Sequence, residues 1–232
     1  MADITANLAE IRGRLEEATK RSGRDLADVE LMVVSKTWPV SVIEEAVEAG
    51  QVLFGENKVQ DAGEKISQMS PELRWHFIGH LQRNKVRKVL PLVEAVHSID
   101  SVKLARYCDT IAKELGLSPA VYLEVNLGGE EKKHGFTKGE LESALTELRE
   151  LQNIRIAGLM CIPPIEEDAG KARGWFVALR ELRDELERQT GVVLPGLSMG
   201  MSHDYEVAIE EGATIVRVGS AVFGKRIKPA TD

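Results

Sequence analysis

The chain alternates between two hydrophobic periods. Between residues 3 and 22, Ile4, Leu8, Ile11, Leu15 and Ala18 recur at spacings of four and three, the seam of an amphipathic helix that Asp3 can cap and Gly23 can end. Short apolar runs follow at 31–34, 52–54, 74–78, 95–99, 120–125, 154–160, 194–197 and 214–218, the lengths expected of strands. Helix-period segments separate them. Val42, Ile43, Ala46 and Val47 stop at Gly50, a polar helix spans 58–69, and a basic helical segment spans 83–90. Asp100 or Ser101 caps a helix carrying Leu104, Cys108, Ile111 and Leu115; Thr137 with Glu140 forms a capping box before Leu141, Leu145, Leu148 and Leu151. Trp175, Phe176, Leu179, Leu182 and Leu186 mark a long helix, and 204–211 makes a last one before Gly212. Strands alternating with helices, after one extra N-terminal helix, predict an α/β fold: a single (β/α)8 TIM-like barrel occupying residues 1–232 as one domain.

Composition narrows the class. A chain of 232 residues that is 43% hydrophobic and 29% charged can bury a sizeable core, and no apolar run approaches the roughly 20 residues needed to cross a bilayer. The polar start lacks the basic-then-apolar pattern of a signal peptide, so a cytoplasmic protein without membrane attachment is expected. A net charge of −7 argues against a general nucleic-acid binder. Cys108 and Cys161 fall in different predicted elements without CxxC spacing, which indicates neither a disulfide framework nor a cysteine zinc site.

The unusual residues gather at one kind of place. Lys36, Asn57, His80, Asp100, Asn126, Met160, Ser202, Gly219 and Ser220 lie at or just beyond the carboxyl ends of predicted strands, the edge at which such barrels bind ligands. Lys36 follows an apolar run that ends abruptly in Ser35-Lys36-Thr37; taken alone, the favoured reading is a solvated strand end. Ser198-Met-Gly-Met-Ser202 reads as a glycine-bearing loop opening a helix amino terminus, and Gly219-Ser220 offers a second set of backbone N–H groups; the plainer reading is a helix cap and two turns. Two such loops after strands seven and eight are where many barrels bind phosphate. Arg217 interrupts an apolar strand and faces opposite to Val216 and Val218, so it needs either an internal salt bridge or a ligand acceptor such as a ring nitrogen. An amine, a phosphate cradle and an arginine facing a heteroaromatic nitrogen are what pyridoxal 5′-phosphate requires.

Several motifs then resemble one family. Ser35-Lys-Thr37, Phe54-Gly-Glu-Asn57, Trp75-His-Phe-Ile-Gly-His-Leu-Gln82 with Asn84-Lys85, His97-Ser-Ile-Asp100, Gly158-Leu-Met160 with Ile162-Pro163, Ser198-Met-Gly-Met-Ser202 with Asp204, and Val216-Arg-Val-Gly219 with Phe223-Gly224 resemble the pyridoxal phosphate homeostasis proteins. These are the YggS-like family, also called proline synthase co-transcribed proteins. The resemblance implies that Lys36 holds the cofactor as a Schiff base, that Asn57 and Met160 line its ring, that Arg217 meets the ring nitrogen, and that Ser202, Gly219 and Ser220 bind the phosphate. Lys58 stands where the family often has tyrosine, Ala213 where serine is common, and Ser220 where threonine is common.

The family is related to the barrel domain of alanine racemase. Ending at Asp232, the chain is expected to lack the second domain that brings a catalytic tyrosine in racemases. Racemisation needs an acid or base on each face of the α-carbon; Lys36 can serve one face, and the other has no evident partner. The expectation is a protein without catalytic residues that holds pyridoxal phosphate reversibly, helps control its free level and passes it to apo-enzymes, acting as a monomer with weak pairing as the alternative. The other readings are a small pyridoxal-phosphate-dependent racemase and a cofactor-free Schiff-base aldolase. No metal site is expected, since His76, His80, His97, His134 and His203 lack ligand spacing and suit ordinary polar contacts. Arg83, Lys85, Arg87 and Lys88 read as a solvated basic face, and Glu56 with Glu124 as a carboxylate pair lacking a sugar platform.

Overall fold

Alternation along each strand decides which side chains meet the helices and which fill the barrel. The computed structural model describes residues 2–129, 134–164 and 168–224. Eight parallel strands, β1 (Glu30–Val34), β2 (Leu53–Glu56), β3 (Arg74–Phe77), β4 (Ala95–Ile99), β5 (Ala120–Glu124), β6 (Arg155–Met160), β7 (Gly196–Met201) and β8 (Ile215–Val218), close in chain order into a barrel. Around them run α1 (Ile4–Arg21), α2 (Val40–Glu48), α3 (Val59–Ile66), α4 (Val86–Val89), α5 (Val102–Leu115), α6 (Lys138–Leu148), α7 (Arg173–Thr190), α8 (Tyr205–Glu210) and α9 (Ser220–Phe223). This is the expected TIM-type barrel with its extra first helix.

Outward-facing Val33, Phe54, Phe77, Val96, Leu123, Leu159, Leu197 and Val216 pack with the helices in one large apolar cluster. Met32, Leu53, Ala95, Ala120, Tyr122, Ala157, Met160 and Ile215 form a second, smaller cluster on the opposite strand face, inside the barrel. Several of these inner residues are alanines. That leaves space on the axis for larger polar side chains.

The helix ends follow their sequence signals. Asp3 accepts the Ala6 N–H at 3.0 Å, Ser101 accepts the Leu104 N–H at 3.3 Å, and Thr137 with Glu140 forms both halves of the capping box. The first helix is tied to the last two described helices: Asn7 donates to the Val222 carbonyl at 2.7 Å, and Arg21 pairs with Glu210 at 2.8 Å.

Several boundaries differ from expectation. Residues 83–92 form two short 3-10 turns flanking the single-turn α4; Pro91 ends α4 by withholding the N–H that a continuous helix would use. The larger difference is β7, which runs from Gly196 to Met201 and absorbs the stretch expected to be a loop. Gly200 makes that possible at φ +89°: the Ala208 Cβ of α8 would lie 2.5 Å from any side-chain carbon placed there. Of the polar loop at 128–136, residues 130–133 lie outside the described residues; its ends are joined by Asn126 N–H to Phe136 O at 2.9 Å and Phe136 N–H to Glu124 O at 2.8 Å. Among the described residues no helix is long and apolar enough to cross a membrane.

Candidate functional site

Lys36 leaves the barrel mouth from a rigid base. The preceding Ser35 is fully buried; its N–H donates to the Gly55 carbonyl at 3.1 Å and its hydroxyl to Glu56 Oε1 at 2.7 Å. Lys65 of α3 crosses behind it, donating to the Ser35 carbonyl at 2.9 Å and to Glu56 Oε1 at 2.6 Å. Glu56 thus points outward from β2 into a buried ion pair, so it does not join Glu124 in a carboxylate pair at the mouth. Thr37, next to Lys36, is the one non-glycine described residue with positive φ, at 68°.

Lys36, Asn57, Met160, Ser202, Arg217, Gly219 and Ser220 all line one cavity of about 560 Å³ at the carboxyl ends of the strands. Trp38, Ile78, Met201 and His203, which the sequence reading did not assign to the cofactor, also line it. Gly79 sets the approach of β2 to β3: the Asn57 carbonyl oxygen would lie 2.1 Å from a Cβ at that position. The Asn57 side-chain Oδ1 is buried and has no hydrogen-bond partner among the described residues.

The two glycine–serine loops meet, though not as a pair of helix caps. Asp204 is the N-cap residue of α8, and its Oδ1 accepts the Met201 N–H at 2.6 Å. Ser202 reaches across to the loop after β8, where its Oγ accepts from the Gly219 N–H at 3.1 Å and the Ala221 N–H at 3.3 Å.

Arg217 projects into the barrel and is 5% exposed. Among the described residues it makes no internal salt bridge: Nη1 donates to Ser198 Oγ at 2.7 Å and Nη2 to the Cys161 carbonyl at 2.9 Å, both neutral acceptors. Burial lowers its pKa, and the negative charges of Asp204 and Glu124 work against that shift; a guanidinium nevertheless remains protonated. Ser198 continues inward to His97 Nδ1 at 2.8 Å, and His97 Nε2 lies 3.0 Å from His76 Nδ1. Alternation could have found this group, because His76, His97, Ser198 and Arg217 occupy inward positions of β3, β4, β7 and β8.

His80, Asp100 and Asn126 lie outside the lining of this cavity. Asn126 borders a smaller one of about 260 Å³ with Glu124, His134 and Cys161. Burial raises the Glu124 pKa, and Asp100 adds to the shift. The sequence separated His80 from His134, but the fold brings both Nδ1 atoms to Asp100 Oδ2, at 3.4 and 3.7 Å. Their rings stack at 3.8 Å and 15°. The three thus offer ligand atoms within 4.8 Å of one another, a grouping that the sequence spacing did not anticipate.

The parallel barrel, with Lys36 at the exit of β1 and Arg217 facing inward on β8, is of a known class. Residues 6–227 match the family described as alanine racemase, N-terminal domain. Within it, the pyridoxal phosphate homeostasis protein of Aquifex aeolicus (strain VF5) is 44% identical over 220 residues, covering 94% of this chain and 96% of the relative. The structure of PipY from Synechococcus elongatus PCC7942 without PLP matches with a TM-score of 0.86 at 40% identity, over 95% of this chain and 100% of that one; the PLP-bound form of PipY matches at 0.85. The chain belongs to the pyridoxal phosphate homeostasis protein family. Alanine racemase of Clostridium difficile 630 shares the fold at 14% identity and a TM-score of 0.75, over 98% of this chain and 58% of its own.

Proposed function

We propose that this protein binds pyridoxal 5′-phosphate reversibly in the 560 Å³ cavity and serves intracellular homeostasis of the cofactor without turning over a substrate. The observation that carries the reading is the convergence on that cavity of a lysine amine, an inward guanidinium and the two serine-bearing loops after β7 and β8. The PLP-bound PipY structure supports it. The donor set fits the group: Lys36 can condense with the cofactor's aldehyde, forming a C=N bond and releasing water, Arg217 can donate to the ring nitrogen, and backbone N–H groups around Ser202, Gly219 and Ser220 can meet the phosphate. Asn57, whose buried Oδ1 lies in the wall, and Met160 would border the ring. When bound, the cofactor supplies an electron sink whose strength depends on protonation of its ring nitrogen.

Arg217 bears on what the site can do. A permanently charged donor at the ring nitrogen disfavours its protonation and weakens the sink. This supports holding the cofactor over using it. The same reading takes residues 1–232 as one cytoplasmic domain acting as a monomer and handing its cofactor to apo-enzymes. The experiment is an absorption spectrum with added pyridoxal phosphate, before and after borohydride reduction, with peptide mapping of the modified lysine. A visible band trapped on Lys36 and absent from Lys36→Ala is the expected result. Amino-acid racemisation lost on Lys36→Ala would replace the carrier reading with an enzymatic one, and a protein that never acquires the band would return the site to cofactor-free Schiff-base chemistry.

A further inference from the structure

The polar side chains on the barrel axis form a chain whose direction follows from donor and acceptor inventory. Arginine carries donors only, so Ser198 Oγ accepts from Arg217 Nη1 at 2.7 Å. The serine proton then goes to an acceptor, and His97 Nδ1 stands 2.8 Å away. A neutral imidazole that accepts at Nδ1 carries its proton on Nε2, which lies 3.0 Å from His76 Nδ1. The same step leaves His76 protonated on Nε2 as a neutral ring, with Glu94 Oε2 3.8 Å away, beyond direct hydrogen-bond reach. Glu94 immediately precedes β4, at the rim opposite Lys36, where Arg74 Nε donates to it at 2.8 Å. The neutral state of His97 is secured by complete burial beside His76 and the Arg217 cation, all of which push its pKa well below the usual value.

This column anchors the guanidinium from below. Two fixed acceptors, Ser198 Oγ on one terminal nitrogen and the Cys161 carbonyl on the other, determine the plane of the Arg217 head group. The anchor is itself held: Tyr122 stacks on the His97 ring at 4.3 Å and 23°. We propose that Ser198, His97 and His76 are positioning residues of the cofactor site, a one-way hydrogen-bonded column that holds Arg217 in the orientation from which it meets the cofactor's ring nitrogen. The inference rests on the cofactor reading above and extends the site from the cavity wall to the opposite end of the barrel.

The test titrates wild-type protein and four variants with pyridoxal 5′-phosphate, following the visible band and recording thermal midpoints alongside. Ser198→Ala removes the acceptor on Arg217 directly and is expected to weaken binding about ten-fold, the scale of one hydrogen bond to a charged group. His97→Phe keeps a ring against Tyr122 but cannot accept the serine proton, and it should weaken binding and displace the band. His97→Asn returns an acceptor near the position of Nδ1 and should recover most of both, while His76→Phe, one step further away, should have a smaller effect than His97→Phe. A merely structural role would lower thermal midpoints while leaving affinity and band unchanged, and would not distinguish Asn from Phe. Wild-type affinity and absorption in Ser198→Ala and His97→Phe would overturn the inference while leaving the cofactor reading intact. Should His97→Phe fail to fold, Ser198→Ala decides alone. A wild-type protein that acquires no band would remove the cofactor reading, and the inference with it.

Discussion

Lys65 and Glu56 form a buried ion pair directly behind the loop that carries Lys36, with Nζ and Oε1 2.6 Å apart and side chains 10% and 1% exposed. Because Lys65 also donates to the Ser35 carbonyl, the pair fixes the backbone from which the candidate cofactor lysine departs. Removing one partner strands the other charge out of water. Lys65→Met is therefore expected to cost about 3–5 kcal/mol in urea unfolding, and Glu56→Gln somewhat less, since the amide can still accept from Ser35 and Lys65. A loss below about 1 kcal/mol for Lys65→Met would show that the pair is not what holds this loop.

His76 couples stability to pH. Burial is the main cause lowering its pKa to about 4, with the Arg74 charge adding to it, against an ordinary value of 6.5. The unfolded chain therefore takes up a proton first as the pH falls. The stability contributed by neutral His76 is complete above about pH 6.5 and is lost as the pH drops toward 4, where the loss levels off. The size is about 3 kcal/mol, at 1.36 kcal/mol per pKa unit. Unfolding free energies of wild type and His76→Phe measured between pH 4 and 7 should differ in slope, the variant being the flatter; equal slopes would remove His76 from the account.

Both cysteines should be silent in the native protein. Burial pushes the Cys108 and Cys161 thiols up to about 12, and both are almost completely enclosed. Thiolate is the reactive form, so neither should react with an aromatic disulfide reagent at neutral pH until the chain unfolds. Rapid stoichiometric labelling of folded protein would mean that the helix packing over Cys108 or the β6 exit at Cys161 opens readily.

The eight-strand order was legible because strands buried on both faces read as short apolar runs, and Lys36 and Arg217 stood out as charges interrupting or ending two of them. Ser198 was harder to place. Its neighbours Gly196 and Gly200 signal a loop, yet a bulge lets the strand continue through them, with the register shifting between Ser198 and Met201. The His76–His97 contact was hidden for a different reason: the partners lie 21 residues apart and meet only through the pairing of neighbouring strands β3 and β4. His80 and His134, which the sequence reading set aside for want of metal-ligand spacing, likewise meet only in the fold, beyond the ends of β3 and β5.

Thr37 connects the mouth of the barrel to its stability. A β-branched residue at φ 68° is strained, at a cost on the order of 1–2 kcal/mol that glycine would not incur. The Trp38 N–H donates to the Ser35 carbonyl at 3.1 Å, so the strained residue sits within the tight turn that swings Lys36 out over the cavity. Thr37→Gly relieves the strain but gives the unfolded chain more freedom, which offsets roughly 0.5–1 kcal/mol of the gain. The expected net effect is a rise of up to about 1 kcal/mol in unfolding free energy, whereas Thr37→Ala, which still carries a Cβ, should change stability little. Cofactor titration separates strain that serves the site from strain that is incidental to it. If the turn aims the lysine, Thr37→Gly should bind pyridoxal phosphate several-fold more weakly while unfolding at higher urea; tighter stability with unchanged binding would mean that the turn's geometry survives without the threonine.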